Sequence, residues 1–363
     1  MADLLKGLAG GWAFLVSWVF PSLTAWSVFG LLVFPRLDSV PGFADIAATS
    51  EANQAIALLG VAFFTAILLS ALSTTLYRIL EGYLLLPERV AVRWRQRQLR
   101  RRTALLAEVA ALRARHPEGD AGAASTGISV RIGLINEKLR RFPADPRQFG
   151  PTAFANALRA AETYGWDRYQ LDSQTLWSEL QAVLPEGLKD EMDRARAPIN
   201  FFVSLLFLSC LLGAACVAAA FAGPTDALAL VAAAAGSAAL VPVWYHLAVL
   251  NTRYVLVVMQ ATVNVGRVAL AASLGLELPR TLAAERGMWE QIYWFVHEPY
   301  DPTYVASLDR YRLDPAAAPA RPTVPPSAAL ATPSATNGSA APAAADPTTE
   351  PAATGAAAPA PEA

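Results

Sequence analysis

Four stretches of this chain stay apolar for longer than a soluble helix needs. No charged residue lies between Lys6 and Arg36, and the run Trp12–Phe34 is long enough to cross roughly 30 Å of hydrocarbon at about 1.5 Å per residue. Pro21 falls inside it, which a membrane helix tolerates better than a soluble one. A cleaved signal peptide fits poorly, because the apolar core exceeds the usual ~7–15 residues and Lys6 is the one basic residue before it. A second uncharged run, Ala52–Tyr77, continues as an apolar helix through Arg78 and Glu81 to Leu86. The third is Ala197–Thr225, and the fourth goes from Ala227 to about Leu250. Pro224-Thr225-Asp226 between the last two is a tight turn, so these spans pair as a hairpin. The predicted spans are about 12–34, 54–77, 199–222 and 227–248.

A fifth apolar stretch, residues 254–276, raises the question of one more span. Arg267 near its middle costs roughly 2.5–3.5 kcal/mol on insertion scales, and Gln260 and Asn264 add to that. The pattern therefore predicts a helical continuation of span four outside the membrane.

Elsewhere the apolar positions recur at helical spacing. Leu105, Val109 and Leu112 share one face, as do Ile128, Ile132, Ile135, Leu139 and Phe142. HPEGDAGAASTG at 116–127 separates them as a breaker. Pro143, Pro146 and Gly150-Pro151 end the second helix. Thr152 is placed to cap a helix beginning FANALRAAETY, and Leu176, Leu180 and Val183 mark another. No alternating run suggests a strand. The predicted fold is all-α, with two transmembrane hairpins and a helical cytosolic module. Its parts are a first hairpin over 1–86, a basic module over 87–197, a second hairpin over 198–250, a cytosolic extension over 251–314 and a tail over 315–363. That tail is Pro/Ala-rich and predicted to be disordered; its Asn337-Gly338-Ser339 sequon is a chance match.

Composition agrees. Hydrophobic residues make up 54% of the 363 and charged residues 16%, against roughly 45–50% and 25% for soluble domains, and the mean hydropathy is +0.33. With 29 basic against 30 acidic residues, nothing favours nucleic acid as a partner. The charges are unevenly placed, however. Seven arginines lie between Arg89 and Arg102, whereas loop 35–53 has Arg36 alone. The positive-inside rule puts 87–197 and both termini in the cytoplasm of a cell membrane. Trp12, Tyr77, Tyr83, Trp244 and Tyr245 then fall at the inner-leaflet level that amphipathic rings prefer. Lysine is rare among the basic residues, a bias that GC-rich bacterial coding produces.

Candidate chemistry is sparse. GAASTG at 122–127 has the glycine spacing of a phosphate loop, but Ile128 stands where the lysine belongs, so it is expected to be a surface loop. Cys210 and Cys216 are some 120° apart around a helix and act as small hydrophobes. No catalytic residue, metal ligand or cofactor site is expected. Arg78 and Glu81, at i and i+3, are either an intramembrane polar pair on an ion or substrate path or a snorkelling pair at the headgroups. His246 has a similar choice between a pH-sensitive role and none. Small residues at four-residue spacing on spans three and four (Ala218–Ala222, Ala229–Ala233, Ala232–Gly236, Ala235–Ala239) suit close helix packing, within the chain or between copies. Arg93, Arg95, Arg97, Arg100, Arg101 and Arg102 are candidates for lipid-headgroup contact. Asn156, Arg159 and Glu162 share one helical face. With Tyr164 and Trp177 they form either a partner or ligand face or a structural network.

The words RILEGYLLLP (78–87) and FGPTAFANALRAAETYGWDRYQLDSQTLWSEL (149–180) resemble a set of actinomycete-type bacterial multi-pass integral membrane proteins. The shared phrase is carried by Pro151, Thr152, Asn156, Leu158, Arg159, Glu162, Tyr164, Tyr169, Leu171, Asp172 and Trp177. The resemblance covers roughly residues 50–250. It implies a membrane location and a two-plus-two layout of spans, and it brings no activity. The expectation is a non-enzymatic, membrane-anchored scaffold or signal-responsive interaction protein, acting through its cytosolic module. Its partners would be the lipid bilayer and a protein, which includes a second copy of itself. An oligomeric pore or transporter component is the alternative, and a membrane-bound enzyme on a lipid-borne substrate is third.

Overall fold

The computed structural model describes residues 11–36, 49–115, 123–221, 227–299 and 302–313. Of these residues 84% are helical and none forms a strand, so the all-α expectation holds; an isolated bridge joins Leu276 to Arg312. In chain order the helices are α1 (Gly11–Arg36), α2 (Glu51–Ala71), α3 (Ser73–Glu81) and α4 (Glu88–Arg115). Then come α5 (Ala123–Leu139), α6 (Ala153–Glu162), α7 (Tyr164–Tyr169) and α8 (Trp177–Val183). The last four are α9 (Glu186–Phe221), α10 (Ala227–Ser273), α11 (Leu282–His297) and α12 (Pro302–Asp309). Most of the predicted outer loop, the 224–226 turn, the start of the 116–127 breaker and the Pro/Ala-rich tail lie outside the described residues.

Helices α1, α2, α9 and α10 are long and apolar enough to cross a membrane. Helix α2 shows why they suit a membrane. It buries Ala62, Ala66 and Leu69, while Ile56, Leu59, Phe63, Phe64, Ile67 and Leu68 stay exposed around the rest of its circumference. A helix apolar on every side is stable only in a protein core or in lipid. Within the bundle α1 runs against α2, with Trp26 Nε1 donating to Thr65 Oγ1 at 2.9 Å and Gly30 touching Leu58. Helices α9 and α10 are antiparallel: Ser209 pairs with Trp244, and Gly213 with Ala234 and Ser237.

Pro21 is accommodated by a specific device. A π-helical turn over Leu15–Val19 precedes it, and the carbonyl of Ser17, four residues before the proline, would otherwise lack a donor. The Ser204 hydroxyl of α9 donates to that carbonyl at 3.0 Å, and the Ser17 hydroxyl donates to Ala197 O at 3.3 Å. The kink therefore fastens α1 to α9.

Several boundaries differ from expectation. The second span does not run on to Leu86: the chain turns at Leu72, and α3 ends at Glu81 because Gly82 adopts φ +83°, a left-handed cap suited to glycine. A side chain there would also meet Pro151 Cγ at 2.9 Å. Helix α5 begins at Ala123, so the stretch expected to be a surface loop is helical from that point; one internal glycine costs a helix only about 1 kcal/mol. Helix α9 crosses the predicted 197/198 boundary with Pro198 inside it. Helix α10, by contrast, continues unbroken past 250/251 to Ser273, the helical continuation of span four that the sequence predicts.

The fifth apolar stretch has no reversal before it and is the second half of α10. At about 1.5 Å per residue the 47 residues of α10 reach roughly 70 Å, over twice the ~30 Å hydrocarbon thickness. Its second half is the mast of the module. Val263, Leu270 and Ala271 pack with Leu171, Leu176 and Leu180 and with Met288, Trp289 and Ile292 of α11. Arg267 is paired rather than stranded: its Nε donates to Glu285 Oε1 at 2.8 Å, and its guanidinium lies 4.6 Å from the Tyr169 ring centre. Asn264 Oδ1 accepts from Tyr164 Oη and Tyr169 Oη.

Candidate functional site

The phrase at 149–162 builds one wall of a cavity where the bundle meets the module. Thr152 caps α6, its hydroxyl accepting from Ala155 N at 3.0 Å, as the sequence predicts. The same hydroxyl donates to Glu81 O at 3.3 Å, which ties α6 to the end of α3. Phe154 is fully buried, with its N–H donating to Tyr245 Oη and its ring edge-on to Tyr77 at 5.5 Å. Helix α6 is thereby fixed across the exit of the bundle.

Asn156 proves to be part of this framework. It is buried, its Nδ2 donates to Gly150 O and Thr152 O, and its Oδ1 accepts from Gly150 N. Its hydrogen-bonding capacity is used in holding the 150–152 loop, so it offers nothing to a ligand. Tyr164 likewise is committed to Asn264. These two leave the proposed partner face for the structural network. Asp172 is an Asx-type cap, accepting from Gln174 N and Thr175 N.

The others converge on the cavity, which has a volume of about 590 Å³ and is lined by Ser73, Thr74, Tyr77, Arg78 and Glu81 of α3, Leu158, Ala161 and Glu162 of α6, Gln174, Trp177, Arg196, Ile199 and Asn200, and Val255 and Met259 of α10. Its floor is apolar and its walls carry both signs of charge. Arg196 lies over the Trp177 ring at 5.7 Å, a cation–π geometry. Tyr77 Oη donates to Asn200 Oδ1. Arg159 lies beside the cavity, its Nε donating to Tyr83 Oη at 3.1 Å; with Glu162 it lines an adjoining hollow of about 260 Å³.

Arg78 and Glu81 lie on α3, which a turn at Leu72 separates from the long apolar helix α2. Both residues open into the cavity. Burial pushes the Glu81 carboxyl up to about 7, the Glu162 carboxylate adds to the rise, and Arg159 and Arg78 oppose it. Burial also raises Glu162, against Arg159 and Arg196. Two carboxyls of weakened acidity thus share one hollow, and Glu81 takes up its proton near neutrality.

Of the six arginines assigned to headgroups, Arg95 donates to Phe149 O, Pro146 O and Arg147 O. Arg102 reaches Ala144 O and lies over the Phe149 ring. These two hold the 144–149 loop onto α4. Arg93, Arg97, Arg100 and Arg101 remain exposed. The small-residue stripe is only partly used within the chain: Ala233 is packed in the bundle, whereas Ala229, Ala232, Ala235, Gly236 and Ala239 are exposed.

Comparison with family models, with curated proteins and with solved structures finds no match to this chain. Function therefore has to be argued from the cavity. Sequence reasoning missed Gln174, Arg196 and Asn200. The last two flank Pro198 at the edge of the third apolar run, and an arginine and an asparagine bracketing a proline there were the available signal.

Proposed function

We propose that this chain is a non-enzymatic, multi-pass cell-membrane protein, a scaffold whose cytosolic helical module responds to a signal received in the Glu81/Glu162 cavity. Its four spans form two hairpins, with both termini and the arginine-rich α4 in the cytoplasm. The basic flank at 89–102 supports that orientation. The observation that carries the reading is that the cavity is bounded by α3 and α9, which continue from the bundle, and by α6 and α8 of the module. A change of charge or occupancy there acts on both sides at once. Glu81 and Glu162 respond to protons directly and to small cationic or zwitterionic ligands through the same carboxylates.

The interaction surface in this reading is the outer face of the α10 mast. Tyr254, Val257, Val265 and Val268 recur at helical spacing and are exposed. An apolar stripe on a water-exposed helix suits a protein partner.

Hydrogen exchange of the full-length protein in nanodiscs tests the signal. Below about pH 7, neutral Glu81 no longer repels Glu162, so amides of α6 and α8 should exchange more slowly once intrinsic rates are corrected. Glu81→Gln should hold the slow state on both sides of that pH. Wild-type exchange that ignores pH would end the signal-responsive reading. A photoreactive side chain at Val265 should capture a defined adduct in native membranes, and one at Glu179 should not; equal capture would remove the docking face.

The exposed stripe Ala229, Ala232, Gly236 and Ala239 favours an oligomeric pore as the second reading. Conductance in planar bilayers, lost in Glu81→Ala, would support it, and a silent bilayer at high protein load would end it.

A further inference from the structure

A second hollow, of about 160 Å³, lies on the other side of α6 and differs in sign. Its polar lining is Gln98 and Arg101 of α4, Lys138 and Arg141 at the end of α5, and Tyr245 and His246 of α10. Leu105, Phe142, Ala153 and Val249 complete its walls, and no carboxylate is among the lining residues. Glu137, next to Lys138 in the chain, is turned away onto Arg253 at 2.9 Å. The volume equals about five waters at roughly 30 Å³ each, which is room for one phosphate-sized anion.

Three features go beyond an accidental cluster. First, the cations come from separate elements. Lys138 and Arg141 alone would be ordinary partners for the negative end of α5, but that explains neither Arg101 nor His246. Second, two lining residues carry buried polar atoms without a hydrogen-bond partner among the described residues, Arg141 Nε and Gln98 Oε1, and a Gln98 amide turned end for end would present its N–H2 to an anion as well. A buried guanidinium N–H without an acceptor is costly, and an anion in the hollow would supply one. Third, Tyr245 Oη accepts from Phe154 N at 3.2 Å, so its own proton is left to donate. Guanidinium, ammonium, imidazole and phenol groups around one small hollow match the several acceptor oxygens of a phosphate group.

We propose that this hollow binds a phosphate group. The proposal rests on the functional reading above only in requiring a bilayer. Tyr245 and His246 lie near the end of the predicted fourth span, where the headgroups begin. A phosphate there comes either from an anionic phospholipid of the adjoining leaflet or from a soluble phosphate compound, and the chemistry of capture is the same.

Thermal unfolding of the full-length protein separates the sources. Nanodiscs of phosphatidylcholine, with and without phosphatidylglycerol, form one arm, and inorganic phosphate titrated into the phosphatidylcholine discs forms the other. Stabilisation by phosphatidylglycerol, lost in Arg141→Gln and Arg101→Gln but kept in Arg97→Gln, assigns the site to a headgroup. Stabilisation by inorganic phosphate, weakened about tenfold in the same two variants as expected for one lost charge-assisted bond, assigns it to a soluble phosphate. No stabilisation in either arm, or equal loss in Arg97→Gln, overturns the proposal. Should Arg141→Gln fail to fold, Arg101→Gln decides, because Arg101 is exposed and its loss leaves the packing intact. Neither arm depends on which side of the membrane the module faces or on the Glu81 cavity, so its failure is distinguishable from failure of the signal-responsive reading.

Discussion

The two halves of α10 are similar in composition and opposite in use. In the first, Leu228 is 83% exposed and Val231, Leu240 and Val243 are also open. In the second, Val263, Leu270 and Ala271 are fully buried against α8 and α11. Apolarity alone does not distinguish a helix solvated by lipid from one solvated by protein. Polar residues do. The first half has few to satisfy, whereas the second carries Asn264 and Arg267, and the module supplies Tyr164, Tyr169 and Glu285 as their partners.

The sharpest way to break this contrast is to remove a partner. Glu285 is 4% exposed and holds Arg267 at 2.8 Å. Glu285→Ala leaves the half-buried Arg267 guanidinium without its carboxylate, at a cost below the roughly 3–5 kcal/mol of a fully buried pair but still the largest expected here. Hydrogen exchange should show α7, α8 and α11 losing protection while α1 and α2 keep theirs. Equal loss in the bundle would show that the halves of α10 do not belong to separate environments. Smaller, but more local, is Gly266→Ala. A Cβ there would meet Leu180 Cδ1 at 2.5 Å and Leu184 Cδ2 at 2.9 Å, so overpacking costs roughly 1–3 kcal/mol, read from chemical unfolding of the module.

At the junction between the halves the effect depends on pH. The Glu81 carboxyl is raised from its ordinary 4.5 to about 7 in the folded protein, so across that interval the native state retains a proton that the unfolded state has released. Stability from this group is therefore full below about pH 4.5 and falls as pH rises to about 7. Glu162, raised in the same direction, adds to the slope. Glu81→Gln should flatten the thermal-stability profile over that range and leave the variant more stable than wild type above it. An unchanged slope would place Glu81 in water rather than in the cavity.

The parts legible in the sequence were those set by pattern. Four apolar runs, the helical faces at 105–112 and 128–142, and the Thr152 cap all follow from spacing and local chemistry. Arg267 within an apolar stretch was legible as a polar demand, but its partner Glu285 lay 18 residues away and was not foreseen. The helix end at Gly82 went unread because the flanking leucines continue the apolar pattern, and only a left-handed backbone reveals the stop. The cavity was half legible. Arg78, Glu81, Glu162 and Trp177 were singled out on separate grounds, but their meeting depends on Pro151 and Thr152 packing against Gly82, a tertiary contact without local signature. Asn156 was left between two roles for the opposite reason, since a polar side chain on a helical face looks the same whether it serves a ligand or its own loop.

The smallest expected effect belongs to the other glycine of α10. Gly236 has nothing within 4 Å of where a Cβ would stand, in contrast to Gly266. Within one copy, Gly236→Ala therefore meets no obstacle and gains helix propensity, at most about 1 kcal/mol. The residue lies on the exposed Ala229–Ala239 face, so the gain should appear in dilute detergent, where copies are apart. If a second copy covers that face in the membrane, the added methyl separates two helices that small residues had let approach closely. The variant would then be stabilised in detergent and weakened in self-association in nanodiscs, measured by energy transfer between labelled copies. Stabilisation in both settings would leave the stripe to lipid and remove the main support for an oligomeric pore.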